Sequence, residues 1–209
     1  METRDKQPSV LTADDHTIVR TGLHMLLQLR FGITHVFEAS SCAGLLAGLR
    51  QHRPSHLIVD SIFTDGNSLE LMPVLTGLFP EVRIMVYSML PEDVYAPAFR
   101  KYGVRHYLHK GSAQDKIEAA LAQFLLHAAP VDTPTAPPVE SDNPFTQLSP
   151  RELEVLHYLL RGDAIGDTAS ALNLHKNTVS TMKSRIFEKT GATNLKELID
   201  KASANQIHP

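Results

Sequence analysis

Residues 9–29, SVLTADDHTIVRTGLHMLLQL, change their pattern midway. SVLT is a short strand-like run, while from Ile18 onward apolar residues recur at three- and four-residue spacing, which is helical. Asp14, Asp15 and His16 occupy the junction. A strand that passes through a polar junction into a helix is half of a βα unit. Two adjacent carboxylates there repel each other unless something neutralises them, and a bound divalent cation does so. Aspartate is also a common turn residue, so a plain acidic loop is the other reading of the same junction.

The pattern repeats downstream. HVFE, HLIVD, RIMVYS and RHYLH are further strand-like runs, and CAGLLAGLRQH, SLELMPVLTGLF, PEDVYAPAFRKYG and AQDKIEAALAQFLL are helical. Five βα units predict an α/β fold, a five-stranded doubly wound parallel sheet, over residues 1–127. The stretch HAAPVDTPTAPPVESDNP, with five prolines in eighteen residues, reads as a stiff linker, and the linker is placed at residues 128–147. Residues 148–209 then carry four short helices. LSPRELEVLHYLLRG begins with Ser149 as cap, Pro150 in the first turn and Glu152 three residues on, and Gly162 ends it. DTASALNL, KNTVSTMKSRIFEKTG and NLKELIDKA follow, and the tight turn near Asn173 makes the segment an all-α helix-turn-helix module.

Composition narrows the function. With 43% hydrophobic residues the 209-residue chain buries a true core, and a single cysteine, Cys42, excludes an internal disulfide. Neither a signal peptide nor a membrane-spanning run is apparent, so a cytoplasmic protein is expected. The eleven histidines do not form a zinc pattern: Pro54 separates His52 from His56, and His106 and His109 fall on opposite faces of a strand. They are expected at the surface. The net charge of −3 gives no general affinity for nucleic acid, yet basic residues concentrate between Lys176 and Lys189.

In a parallel doubly wound sheet, ligands sit at the carboxyl ends of the strands. Asp60 ends LIVD and therefore emerges beside Asp14 and Asp15. Three converging carboxylates suit Mg²⁺, a hard ion that takes oxygen ligands. Ser88 and Lys110, at the ends of the next two strands, add a hydroxyl and a fixed cation to the same rim. Together these form a phosphoryl-binding set in which a carboxylate is the nucleophile. A phosphohydrolase with an aspartate nucleophile needs its acid one residue removed from that nucleophile after the first strand, a spacing DDH lacks.

DDHTIVRTGL with Arg20 and Gly22, LIVD at Asp60, VYS at Ser88, HYLHK at Tyr107 and Lys110, LSPRELEVL and NTVSTMKSRIFEKTG, in this order, resemble the NarL/FixJ group of two-component response regulators. That resemblance implies a CheY/flavodoxin-like receiver followed by a LuxR-type helix-turn-helix. It implies a phosphoprotein and transcription regulator, not an enzyme, that a sensor histidine kinase phosphorylates and that then binds double-stranded DNA as a homodimer, with RNA polymerase as a further partner. Asp60 would be the phosphoacceptor, Asp15 the direct Mg²⁺ ligand, Asp14 a more distant one, and Ile62 the donor of a backbone carbonyl. Lys110 would contact the phosphoryl group, and Ser88 with Tyr107 would form the switch. Thr64 and Ser68 stand where the group usually has proline and glycine, and Pro97 interrupts the fourth helix. These departures leave room for a receiver that dimerises or binds a ligand without phosphorylation.

Along TVSTMKSRIFEK, Val179, Met182, Ile186 and Thr190 form the inward stripe. Ser180, Thr181 and Ser184 then face base edges, and Lys176, Lys183, Arg185 and Lys189 face phosphates. Asn177 and Thr178, in the first turn, complete the DNA-binding set. His175 replaces the usual capping serine, and Thr168 and Thr190 replace apolar residues. Each of these three is expected to cost stability.

Overall fold

The computed structural model describes residues 8–126 and 143–208. The first elements are β1 (Ser9–Ala13), α1 (Thr17–Phe31), β2 (His35–Ala39), α2 (Cys42–His52), β3 (His56–Val59), β4 (Ile62–Phe63) and β5 (Gly66–Asn67). After them come α3 (Ser68–Leu78), β6 (Arg83–Ser88), α4 (Glu92–Arg100), β7 (His106–His109) and α5 (Gln114–Leu126). A 3₁₀ turn (Pro144–Gln147) leads into α6 (Pro150–Arg161), α7 (Ile165–Ala171), α8 (Lys176–Thr190) and α9 (Leu195–Ala204). Contacts divide the chain into two compact units. The first runs to Ser88 and resumes at Tyr102, and the second joins Met89–Lys101 to the residues from Asn143 onward.

In the first unit β2, β1, β3, β6 and β7 lie in that order in one parallel sheet, as the five βα repeats predict. Every residue of β3 is buried, as expected of a central strand covered on both faces. On one face Val10, Ile58, Met85 and Leu108 pack against Leu23 and Leu27 of α1 and Leu121 and Phe124 of α5. On the other, Gly48 lets α2 approach closely, since a Cβ there would stand 3.2 Å from Leu11 Cδ2.

Local signals set the helix ends. Ser41 accepts from Gly44 N–H to start α2, and Gly32 closes α1 in the left-handed region at φ 65°. The β4–β5 hairpin was not visible in the sequence. Its Asp65 accepts from Cys42 N–H at 2.9 Å and Ala43 N–H at 3.3 Å, which fastens the hairpin to the start of α2. Burial and the Asp65 charge push the Cys42 thiol up to about 12.

Two expectations need correction. His56 and His157 are buried, not superficial. His56 meets the edge of Phe124 with ring centroids 5.0 Å apart, and burial together with Arg83 holds it down at about 4. The proline-rich stretch lies outside the described residues as far as residue 142, but its last part is structured. Phe145, in the 3₁₀ turn, is fully buried in the second unit, so residues 144–147 belong to that core.

In the second unit α6 has the predicted start, a full capping box between Ser149 and Glu152 with Pro150 in the first turn. Helices α7 and α8 pack on each other and on α6, and Asn173 makes the turn between them at φ 50°. Pro97 lies inside the nine-residue α4, which is shorter than the helical stretch read from the sequence.

Candidate functional site

Backbone bonds that continue the sheet past its strand ends build a rim. Asp14 N–H donates to Ala39 O at 3.0 Å, Asp60 N–H to Ala13 O at 2.8 Å and Lys110 N–H to Ser88 O at 2.8 Å. Each acid or base is thus held by the neighbouring strand and not by a free loop. The Arg20 guanidinium reaches back to Asp14 O at 2.7 Å, and His16 N–H donates to Asp14 Oδ1 at 2.9 Å, so the junction is braced from α1 as well.

Within this rim Lys110 Nζ lies 2.6 Å from Asp60 Oδ2 and 2.7 Å from Asp14 Oδ2. Asp14 and Asp60 are buried, and Asp15 is half-buried. Asp60 Oδ1 accepts from Ser61 N–H at 2.6 Å, and Asp15 Oδ2 from Thr64 N–H at 3.1 Å. Burial raises the Asp60 carboxyl above its ordinary value, against the pull of Lys110. Burial also works against the Lys110 ammonium, but Asp60 and Asp14 outweigh it and hold Lys110 above its ordinary value. Asp60 is therefore a basic carboxylate fixed beside a permanent cation, which suits it to attack phosphorus.

The residues fit a hard divalent cation. Asp15 Oδ1 is buried and accepts no hydrogen bond, although His16 Nδ1 stands 2.8 Å away. Ligand atoms of Asp14, Asp15, His16 and Asp60 all lie within 4.8 Å of one another. One ammonium leaves this set of three carboxylates with surplus negative charge, which an oxygen-seeking dication neutralises. His16 was missed because a histidine between an acid pair and a helix has no distinguishing pattern.

Ser88 ends β6, buried, and Tyr107 lies half-buried in β7 opposite Val86. Ile62 sits in the short β4 strand just beyond Asp60. The loop carrying Thr64 is tied to the acid pair through the Thr64 N–H, so replacing proline there leaves the loop anchored.

On α8, Val179, Ile186 and Thr190 are buried and Met182 is half-buried, so the inward stripe falls where its spacing places it. Lys176, Asn177, Ser180, Thr181, Ser184 and Arg185 are exposed. Thr178 and Lys183 are half-buried, and Lys183 Nζ lies 5.5 Å from the centroid of the Phe187 ring. Lys189 points inward. Its Nζ lies 2.7 Å from Glu152 Oε2 and donates to Gln147 O at 3.2 Å, so its charge braces the domain instead of facing outward. The three expected costs are offset as well. His175 Nδ1 accepts from Asn177 N–H at 3.3 Å, in place of a serine cap. The Thr168 and Thr190 hydroxyls donate to Ala164 O and Ile186 O at 3.1 and 2.7 Å.

Among known families, residues 10–122 match the response regulator receiver domain, and residues 146–202 match the bacterial regulatory proteins of the luxR family. The chain is 27% identical over 213 residues to the oxygen regulatory protein NreC of Staphylococcus epidermidis, covering 95% of this chain and 98% of that protein. It is 26% identical over 197 residues to the response regulator GacA of Pseudomonas aeruginosa, covering 90% and 92%. In fold it is similar to RcsB of Salmonella enterica serovar Typhimurium, solved on the promoter P1flhDC with the phosphomimetic BeF₃⁻. The TM-score there is 0.80 at 24% identity, over 95% of this chain and 100% of that one. No helix of the described residues is long and apolar enough to cross a membrane.

Proposed function

The chain belongs to the response regulators, in the group that joins a receiver domain to a LuxR-type domain, and from that premise we propose that it is a DNA-binding regulator of transcription switched by phosphorylation of Asp60. The observation that carries this reading is the Lys110 ammonium held between Asp60 and Asp14, with Asp15 beside them in the same cluster of ligand atoms.

A sensor histidine kinase presents a phosphohistidine. An Asp60 carboxylate oxygen attacks the phosphorus, the P–N bond breaks as the O–P bond forms, and the imidazole leaves and takes up a proton. Lys110 then exchanges part of its carboxylate pairing for a phosphoryl oxygen. Asp14, Asp15, Asp60 and the Ile62 carbonyl would hold Mg²⁺, which supplies neutralising charge to the phosphoryl oxygens when bound. Ser88 and Tyr107 sense the new group. In the second unit α8 enters the major groove, with Ser180, Thr181 and Ser184 toward base edges and Lys176, Lys183 and Arg185 toward phosphates, Asn177 and Thr178 flanking them. Two copies on a paired site strengthen each other's binding through effective concentration.

The test is to incubate the purified protein with Mg²⁺ and a small acyl phosphate and weigh it intact. Gain of one phosphoryl group, mapped to Asp60 and absent when Mg²⁺ is chelated before the donor is added, supports the reading. Labelling at any other residue overturns it.

A further inference from the structure

Arg20 lies one turn into α1, and its charged side chain is only 12% exposed although Ile18 and Thr21 beside it face solvent. All three guanidinium nitrogens are engaged. Nη1 donates to Asp14 O at 2.7 Å, Nε to Glu38 Oε2 at 3.2 Å and Nη2 to Thr17 Oγ1 at 3.3 Å. Glu38 comes from another element: it stands in β2 opposite Thr12 of β1, and its second oxygen lies 3.1 Å from His24 Nδ1. A rigid fork thus ties α1, β2 and the junction after β1 together at one point.

What the fork holds is a peptide plane. The Asp14 carbonyl and the Asp15 amide belong to one planar unit, so fixing that oxygen limits ψ of Asp14 and φ of Asp15 together. The Asp14 N–H is held as well, by Ala39 O at 3.0 Å. With both ends of Asp14 tied, the directions in which the two carboxylates leave the backbone are set. Arg20 does this without consuming a ligand oxygen, since its ion pair is with Glu38, outside the acid cluster, while Asp14 and Asp15 turn their carboxylates to Lys110 and His16. A pair with Glu38 this exposed contributes little to stability. Its effect is on direction.

We propose that Arg20, steadied by Glu38, is a positioning residue for the phosphorylation of Asp60: through the Asp14 carbonyl it aims both carboxylates of the acid pair, and so sets the affinity for Mg²⁺. The inference rests on the Mg²⁺-dependent phosphorylation reading above and extends it to a side chain that touches neither the ion nor the phosphoryl group. Charge and geometry predict opposite signs here. A guanidinium near the cluster repels a dication, so by charge alone its removal tightens Mg²⁺ binding. Loss of positioning loosens it.

The test is calorimetric titration of the full, unphosphorylated chain with Mg²⁺, beside the Mg²⁺ dependence of labelling by a small acyl phosphate. Arg20→Gln is expected to raise the Mg²⁺ dissociation constant about tenfold. The half-saturating Mg²⁺ for labelling should rise by the same factor, while the rate at saturating Mg²⁺ stays within about threefold of the parent's. Arg20→Lys keeps the charge and loses the fork, so it should also weaken binding, by about threefold. Glu38→Gln should weaken binding in the parent but add nothing in the Arg20→Gln background, because its influence passes through Arg20. Tighter or unchanged Mg²⁺ binding in Arg20→Gln overturns the inference, as does an Arg20→Lys variant equal to the parent. A fall in the saturating rate at unchanged Mg²⁺ affinity assigns Arg20 to the attack step and overturns it too. A Glu38→Gln effect that persists undiminished in the Arg20→Gln background overturns the part given to Glu38. Should Arg20→Gln fail to fold, Arg20→Lys and Glu38→Gln decide. A parent that binds no Mg²⁺ and gains no phosphoryl mass overturns the phosphorylation reading itself, whereas a parent that does both, with indifferent variants, overturns the positioning role alone.

Discussion

Lys110 is the residue on which most of the site's electrostatics turns, since its ammonium alone separates two buried carboxylates. Replacing it with methionine leaves Asp14 and Asp60 repelling each other and removes a fixed cation from beside the attacking carboxylate. Labelling of Lys110→Met by a small acyl phosphate should slow by about 10²-fold or more, read as the rate of phosphoryl mass gain. A rate within twofold of the parent's would show that the cation serves structure only. Asp60→Ala, by contrast, leaves Lys110 paired with Asp14, so this variant should keep its fold by circular dichroism and gain no phosphoryl mass at all. At the start of α8, His175 supplies an acceptor to Asn177 N–H. His175→Ala should lower the stability of the helix-turn-helix unit by about 1 kcal/mol, whereas His175→Ser should preserve it. Equal melting temperatures for the parent and His175→Ala would show that the imidazole cap contributes nothing.

At the scale of elements, α6 was legible because it has a cap residue, an apolar period and a stop in sequence order. The capping box at Ser149 and Glu152 could be read directly. The β4–β5 hairpin could not, since two-residue strands are too short to show a period. The end of the linker was misplaced for a related reason. One buried phenylalanine, Phe145, decides that boundary, and neighbouring prolines mask it. Side-chain direction was the other blind spot: the concentration of basic residues set Lys183, Arg185 and Lys189 all against phosphates, but the Glu152 carboxylate draws Lys189 inward. The two lysines should therefore behave differently. Lys183→Ala should weaken binding to all DNA sequences alike and lower the salt slope by about 1. Lys189→Ala should lower the melting temperature and leave that slope unchanged. A slope change in Lys189→Ala would restore it to the phosphate set.

For the molecule as a whole, each unit contains, among the described residues, one buried histidine, His56 in the first and His157 in the second. Burial with Arg83 holds His56 at about 4, and burial with Arg161 holds His157 at about 4, both below an ordinary value of 6.5. The unfolded chain therefore binds protons that the folded chain refuses. The stability tied to this difference is fully present above about pH 6.5 and is lost as the pH falls toward 4, by at most about 3 kcal/mol for each histidine. Asp60, raised by burial, works in the opposite sense, so variants must be compared with the parent. His56→Gln and His157→Gln should each flatten the fall in denaturant midpoint between pH 6.5 and 4. Parallel curves for parent and variants would show that neither histidine drives acid unfolding.

The Cys42 thiol, held at about 12 beneath the Asp65 cap, gives the protein a built-in reporter. At pH 7 roughly one such thiol in 10⁵ is ionised, so a disulfide reagent reacts only when the first turn of α2 and the hairpin beside it swing open and the thiol regains its ordinary acidity. The rate of its modification then measures how often that corner of the receiver breathes, in a chain that has no second cysteine to obscure the signal. Asp65→Ala, which frees the hairpin from α2, should be modified about tenfold faster while the global unfolding midpoint moves little.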